Sequence, residues 1–472
     1  METILDKYLK TAENVDPIKC VGHVSKVQGL LIESVGPSAI IGEMCRIETG
    51  KEICLQAEVV GLHSETVQLM AYSETGGIRI GDRVVASGSS LDIAVSDKLL
   101  GRVLDAQGRV ADGKGEIESG VRYPVMASPP DPLKRTRVTE RIATGVRAID
   151  SMLAVGRGQR IGIFAGSGVG KSTLLGMIAR NTGADVNVVA LIGERGREVN
   201  DFIEKDLGEE GLKKSVLVVT PSNSPPLLRL RGAYTATAVA EYFRDKGKNV
   251  MLLFDSITRF ARAMREIGLA TGEPPATRGY PPSMFDQMPK LLERAGAAET
   301  GGITSFYTIL VDGDDMDEPV ADTVRGILDG HIVLSRKLAQ YYHYPAIDVL
   351  RSVSRLEKDV SGPATQQAVG VIRRLMAIYD ENEKLINVGA YHSGTNALID
   401  NAIAKHDSIE NFLMQGIDEK ATLRDTLVKL GELAGVTIPE EELPAETARM
   451  TENEPPRSRD EPGETHTGLF MP

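Results

Sequence analysis

The chain runs to 472 residues, more than one hydrophobic core usually supports, so two or three domains are expected. Hydrophobic residues supply 42% and charged residues 25%, the balance of an ordinary soluble globular protein. A net charge of −12, with no basic domain to offset it, excludes a surface built to grip a nucleic-acid backbone.

Residues 1–18 predict a short helix with Ile4, Leu5, Tyr8 and Leu9 along one side, a stripe that packs on its own domain or docks on a partner helix. This segment is charged throughout and carries no signal-peptide pattern. The longest apolar stretches, such as Val250–Phe254, fall far short of the ~20 residues of a membrane span, so a cytoplasmic protein is expected. From 19 to 95 short β-rich segments are cut by turns such as Gly36-Pro37-Ser38 and Gly76-Gly77, the spacing of a small all-β barrel. Residues 1–120 contain two aromatics, Tyr8 and Tyr72, too few for a platform on which bases stack, so the barrel is expected to make protein contacts. Cys20, Cys45 and Cys54 lack metal-ligand spacing and predict buried thiols in a reducing compartment.

Residues 96–355 form the next predicted domain, with a linker rich in Gly, Pro and charge at 104–135. Apolar strands (RIGIFAG, VNVVALIG, SVLVVT, NVMLLFDS, TSFYTILV, HIVLS) alternate there with helical stretches. Such alternation predicts an α/β fold: a parallel sheet with helices on both faces and ligands at the C-terminal ends of the strands. The first strand runs into Ala165-Gly166-Ser167-Gly168-Val169-Gly170-Lys171-Ser172-Thr173. Glycines let the backbone curl so that several N–H groups converge on a phosphate, and the helix behind directs its positive end at the anion. Lys171 is placed to reach the β- and γ-phosphates and Ser172 to bind Mg2+; Ala165 stands where the first glycine is usual.

Hydrolysis also needs a group that orients and activates water. The strand Val186–Ile192 ends in GERGRE, which makes Glu194 the candidate general base. The apolar strand beginning at Asn249 delivers Asp255 at its tip, a candidate for the Mg2+ shell and equally a helix N-cap. His343 and His392 belong to no ligand cluster. Residues 356–438 read as an amphipathic helical domain and 439–472 as a disordered acidic tail ending in Leu469-Phe470-Met471.

AGSGVGKS, GERGREV, LLFDSITRFARAMREIGLATGEPPATRGYPPSMF, GGITSFYTILVDGDDMDEPVADTVRGILDGHIVLSR and YPAIDVLRSVSR together resemble the flagellar type III protein-export ATPases, relatives of the catalytic subunits of rotary ATP synthases. The resemblance runs from about residue 20 to about 430. It implies a RecA-like P-loop domain between the β-barrel and the helical domain, with ATP and Mg2+ at the site. Matched residue by residue, it implies Lys171, Glu194 and Arg195 around the γ-phosphate, Ser172 and Asp255 on Mg2+, Tyr344 stacked on adenine, and Arg355 reaching a neighbouring subunit's site. The partners it implies are other copies in a hexameric ring, a stator-like regulator at the N-terminus, a central-stalk protein, the membrane export gate, and export chaperones with their substrates. It also implies a place at the cytoplasmic face of the inner membrane. The injectisome ATPase of virulence secretion is the competing expectation; the N-terminal segment and Thr304-Ser305-Phe306-Tyr307 favour the flagellar one. An RNA-translocating helicase of the termination type also joins a barrel to a P-loop domain, but the acidic chain and the missing aromatics argue against it.

Overall fold

A computed structural model describes residues 21–50, 54–117, 120–311 and 315–445. The predicted N-terminal helix, Cys20 and residues 446–472 lie outside the described residues.

Six strands close into a barrel: β1 (Val21–Gln28), β2 (Leu31–Val35), β3 (Glu43–Glu48), β4 (Cys54–His63), β5 (Thr66–Ala71) and β6 (Arg83–Ser90), in the order β1-β2-β5-β4-β3-β6. Alternation along the strands sends Cys45, Ile47, Val59, Leu69 and Val84 inward, and closure of β1 on β6 leaves no sheet edge unpaired. Cys45 is buried as expected, and burial pushes its thiol up to about 12. Cys54 departs from the expectation: it opens β4 at the barrel rim and is exposed.

The barrel ends earlier than the sequence suggests. β7 (Asp92–Val95) pairs antiparallel with β9 (Val121–Pro124), outside the barrel. Ile93, Val95 and Val125 pack into the core of the central sheet, and β8 (Val103–Leu104) joins that sheet at its edge. Much of the stretch expected as a linker at 104–135 is therefore ordered, because its few apolar residues have a core within reach. A buried ion pair fixes the barrel to the rest: Arg231 donates through Nε to Glu58 Oε2 at 2.7 Å, and the Tyr72 hydroxyl donates to the same oxygen.

The central sheet uses β10 (Arg160–Ala165), β11 (Val186–Ile192), β12 (Ser215–Thr220), β13 (Asn249–Asp255), β14 (Gly296–Ala297), β15 (Gly302–Leu310), β16 (Gly330–Leu334) and β17 (Ile347–Ser354). Its order is β17-β16-β10-β15-β13-β11-β12-β8, with β14 beside β15. All these pairings are parallel except those of β14 and β17. β11 is buried along its whole length, which is why it reads as an apolar run broken by Asn187 alone. Its Val188, Ala190 and Ile192 join one core and its Val189 and Leu191 the other. Helices α2 (Pro226–Asp245) and α3 (Ile257–Ala270) cover the first face, and α1 (Lys171–Asn181) covers the second. The second core continues into the C-terminal helices α4 (Pro363–Asn387), α5 (Ala397–Leu413) and α6 (Leu423–Ala434) through Ile372, Leu375, Phe412 and Leu430.

Residues 439–445, expected within a disordered tail, are ordered. Glu442 accepts hydrogen bonds from the backbone N–H groups of Ala364 (2.9 Å) and Thr365 (2.8 Å) and from the Thr365 hydroxyl (2.7 Å). α4 opens with Gly362-Pro363 and has no side-chain cap of its own, so a carboxylate from a distant segment satisfies its first donors. Acidic composition reads as solvated charge unless such a partner is known.

Candidate nucleotide site

β10 and β11 are consecutive in the chain but separated in the sheet by β15 and β13. The chain crosses over at that point, and the ends of β10, β11 and β13 converge on one edge. Ala165 is the last residue of β10, paired with Leu310 and Leu334 and fully buried. It needs no glycine, because it is an ordinary extended residue. The positive φ values fall instead at Gly168 (77°) and Gly170 (90°), where an L side chain is strained. Gly170 is the N-cap of α1, so Lys171, Ser172 and Thr173 occupy the first turn, whose N–H groups have no partner within the helix.

Lys171 Nζ lies 2.5 Å from Asp255 Oδ1 and 3.7 Å from Glu194 Oε1. Burial works against the ammonium charge, but Asp255 and Glu194 outweigh it and hold the lysine protonated. Asp255, itself buried, also accepts from the Thr308 hydroxyl at 2.7 Å. Glu194 is 7% exposed, and its Oε1 has no hydrogen-bond partner. Burial first, then the negative charge of Asp255, push its carboxyl up to about 7, against the pull of Lys171 and Arg259. Arg259 Nε stands 4.0 Å from Glu194 Oε1 and likewise has no hydrogen-bond partner. Glu198 is bonded to Glu194, and that bond holds the Glu198 carboxyl below the usual range.

The other expected residues divide. Tyr344 reaches the site: a Cβ built on Gly170 would lie 3.5 Å from its ring. Arg195 does not; its side chain is 75% exposed and pairs with Glu198 at 3.1 Å. Arg355 is also remote, following the last residue of β17, which runs antiparallel to β16 and so ends at the opposite edge from the glycine loop. Its guanidinium donates to the Arg325 carbonyl at 3.2 Å and is exposed. His343 is buried against Glu410 and His392 is exposed; among the described residues no His, Cys, Asp or Glu cluster could hold a metal.

Sequence reading missed Arg259, Thr308 and Glu198. Arg259 lies in the first turn of α3, and Glu198 in the helix Gly196–Asp201, but Asp255 ends β13 and Glu194 precedes that helix, so no helical spacing links either pair in the sequence. Thr308 is equally hidden, because only the pairing of β13 with β15 brings it to Asp255.

The arrangement suits a polyphosphate: glycine-loop donors and one lysine for the anion, and a buried carboxylate poised near neutrality for a proton. Ser172 and Asp255 offer the hard oxygen donors that Mg2+ prefers.

The nucleotide-binding domain model of the ATP synthase alpha/beta family matches residues 145–354, and the family's β-barrel domain matches residues 24–88. The T3SS EscN ATPase C-terminal domain matches residues 361–432. The flagellum-specific ATP synthase of Treponema pallidum (strain Nichols) is 58% identical over 92% of this chain and 98% of its own length. The type 3 secretion system ATPase of Xanthomonas euvesicatoria is 47% identical over 90% of this chain and 96% of its own. The assembled ATPase EscN of enteropathogenic E. coli, solved in complex with its central stalk EscO, superposes with a TM-score of 0.82 at 43% identity, covering 88% of this chain and all of that one.

Proposed function

The chain belongs to the family of flagellum-specific ATP synthases and type 3 secretion system ATPases, and from that membership we propose that it hydrolyses ATP to drive flagellar protein export. The flagellar reading is favoured over the injectisome one by 58% identity to the Treponema protein against 47% to the secretion ATPase. One observation carries the catalytic reading. Glu194 is a buried carboxylate with a free oxygen, beside Lys171 and Asp255, raised to about 7.

In this reading the loop from Ala165 to Thr173 binds the phosphates. Lys171 leaves Asp255 for the β- and γ-oxygens, and Glu194 orients a water and takes its proton. Mg2+ bound with the nucleotide polarises the phosphoryl group and screens its charge; Ser172 and Asp255 would hold it. Tyr344 faces the base, supported by the position of its ring beside Gly170. Arg259, not Arg195, is the arginine beside Glu194 in the single chain. Arg355 completes the site of a neighbouring copy, supported by its exposure at the far edge of the sheet.

Copies joined head to tail form a closed ring that engages a central stalk, as the EscN–EscO assembly supports. Among the described residues no helix is long and apolar enough to cross a membrane, in keeping with peripheral attachment to the export apparatus. The N-terminal segment is assigned to a stator-like regulator, and chaperone-bound substrates are released to the membrane gate.

Glu194→Gln tests the base. It should bind a fluorescent ATP analogue as the wild type does while turnover falls by at least ~10²-fold, and full activity would remove the assignment. For the export role, deleting the gene in its host should abolish flagella and spare effector secretion; the reverse pattern would favour the injectisome.

A further inference from the structure

Tyr344 lies on a turn whose backbone is tied to the helix before it, the His343 N–H donating to the Leu338 carbonyl at 3.0 Å, but whose outer side is open. Tyr341 and Tyr342 are 75% and 85% exposed, and a cavity of about 420 Å3 lined by Tyr341, His343, Asp348, Tyr379, His406 and Glu410 opens beside the turn. Packing on that side therefore leaves the turn room to shift. On that side it is polar contacts to the C-terminal helices that hold it. His343, buried, sets Nδ1 2.8 Å from Glu410 Oε2 on α5. The Tyr344 carbonyl accepts from the Gln415 N–H at 2.9 Å, just past the end of α5. Gln415 is itself tied down, accepting from the Arg147 N–H at 2.7 Å and donating to the Gly145 carbonyl at 2.9 Å.

We propose that His343, held by Glu410, is a positioning residue for nucleotide binding: the pair fixes the turn that presses Tyr344 toward Gly170, so the placement of α5 sets the affinity for the purine. The inference rests on the reading of Tyr344 as the base contact. A charge-assisted hydrogen bond from buried His343 to partly buried Glu410 directs the turn, whereas the exposed tyrosines that precede it contribute little to its orientation. Breaking the pair frees the turn toward the cavity and loosens the base contact while leaving Lys171 and Glu194 where they are.

The test uses the full chain and two probes, ATP and Mg-tripolyphosphate, which carries phosphates but no base. His343→Ala and Glu410→Gln should each raise KM for ATP roughly three- to tenfold with kcat little changed, the fraction of a partly buried charge-assisted bond that reaches the base. The double variant should be no worse than His343→Ala alone, because Glu410→Gln, which removes the charge but leaves an amide acceptor, acts on the same contact. Inhibition by tripolyphosphate should stay at the wild-type level throughout. His343→Asn, which keeps a donor near the Nδ1 position, should recover most of the affinity. If Tyr344→Ala raises KM and His343→Ala and Glu410→Gln do not, the positioning role is wrong and the base contact stands. If Tyr344→Ala leaves KM unchanged, the base contact itself is wrong and the inference falls with it. Weakened tripolyphosphate binding in the His343 or Glu410 variants would place the damage at the glycine loop and also overturn the proposal. Should His343→Ala fail to fold, Glu410→Gln, which preserves side-chain size, decides alone.

Discussion

Glu194 shows how one side chain becomes useful by being left incomplete. A carboxylate in water has a pKa near 4 and is a poor proton acceptor at neutrality. Here burial and the neighbouring charge of Asp255 raise it to about 7, and Lys171 and Arg259 stop it rising further. The charged form is the one that accepts a proton, so kcat/KM, which reports the free enzyme, should climb with pH until about 7 and then level off. Arg259→Gln removes one of the groups favouring the charged form, so the rising limb should move to higher pH. An unmoved limb in that variant would mean that Arg259 does not act on Glu194. Most of this residue-scale picture was legible in the sequence, because Lys171, Glu194 and Asp255 each end a recognisable strand or open a recognisable turn. Arg259 was not, since an arginine in the amphipathic α3 looks like any solvated charge until the fold turns it toward a buried acid.

The strands of the central sheet were easy to read for a physical reason: parallel strands covered on both faces lose polar alternation and stand out as apolar runs. Where a strand pairs is a separate question. Asp92–Val95 has the alternation of a barrel strand, yet Ile93 and Val95 find their core on the central sheet, and no local pattern records that choice. Glu442 poses the same problem for α4. Its contact spans nearly 80 positions of sequence, as |i−j| is 78 to Ala364 and 77 to Thr365, so composition alone assigned it to a tail. Burial of that carboxyl works against its charge, but the bonds from Thr365 and Ala364 hold it below the usual range, which is the signature of a cap that stays ionised. Glu442→Ala should cost about 1–2 kcal/mol at the start of α4, comparable to losing an N-cap. Amide hydrogen exchange at Ala364 and Thr365 should rise in that variant and in a chain ended after Ile438, but not in one ended after Ala445. Equal protection in all three would mean that the contact contributes nothing to the helix.

On the proposed assignment Arg355 serves a neighbour's site, because within one subunit the glycine loop and Arg355 lie too far apart. Buried ion pairs stiffen the subunit, Glu58 with Arg231 between barrel and α2, and Glu241 with Arg294 between α2 and the residues after the helix Pro282–Leu292. Tyr344, beside the glycine loop, lies three residues before the start of β17, and Arg355 follows β17 directly. A strand of 8 residues spans about 26 Å, so loop and guanidinium stand a full strand apart on opposite edges of the sheet. A head-to-tail neighbour removes that distance, because each copy then offers its far edge to the next copy's loop. The geometry makes complementation between two inactive chains the decisive measurement. Glu194→Gln retains Arg355 but has no base, and Arg355→Ala retains the base but has no arginine to lend. Mixed in equal amounts and allowed to assemble, about a quarter of randomly formed interfaces join a wild-type Glu194 to a wild-type Arg355, and ATPase activity should reappear. Each variant alone should stay inactive at any concentration. If Arg355 served its own chain, no interface in the mixture would hold a complete site, and the mixture would be as inactive as its parts.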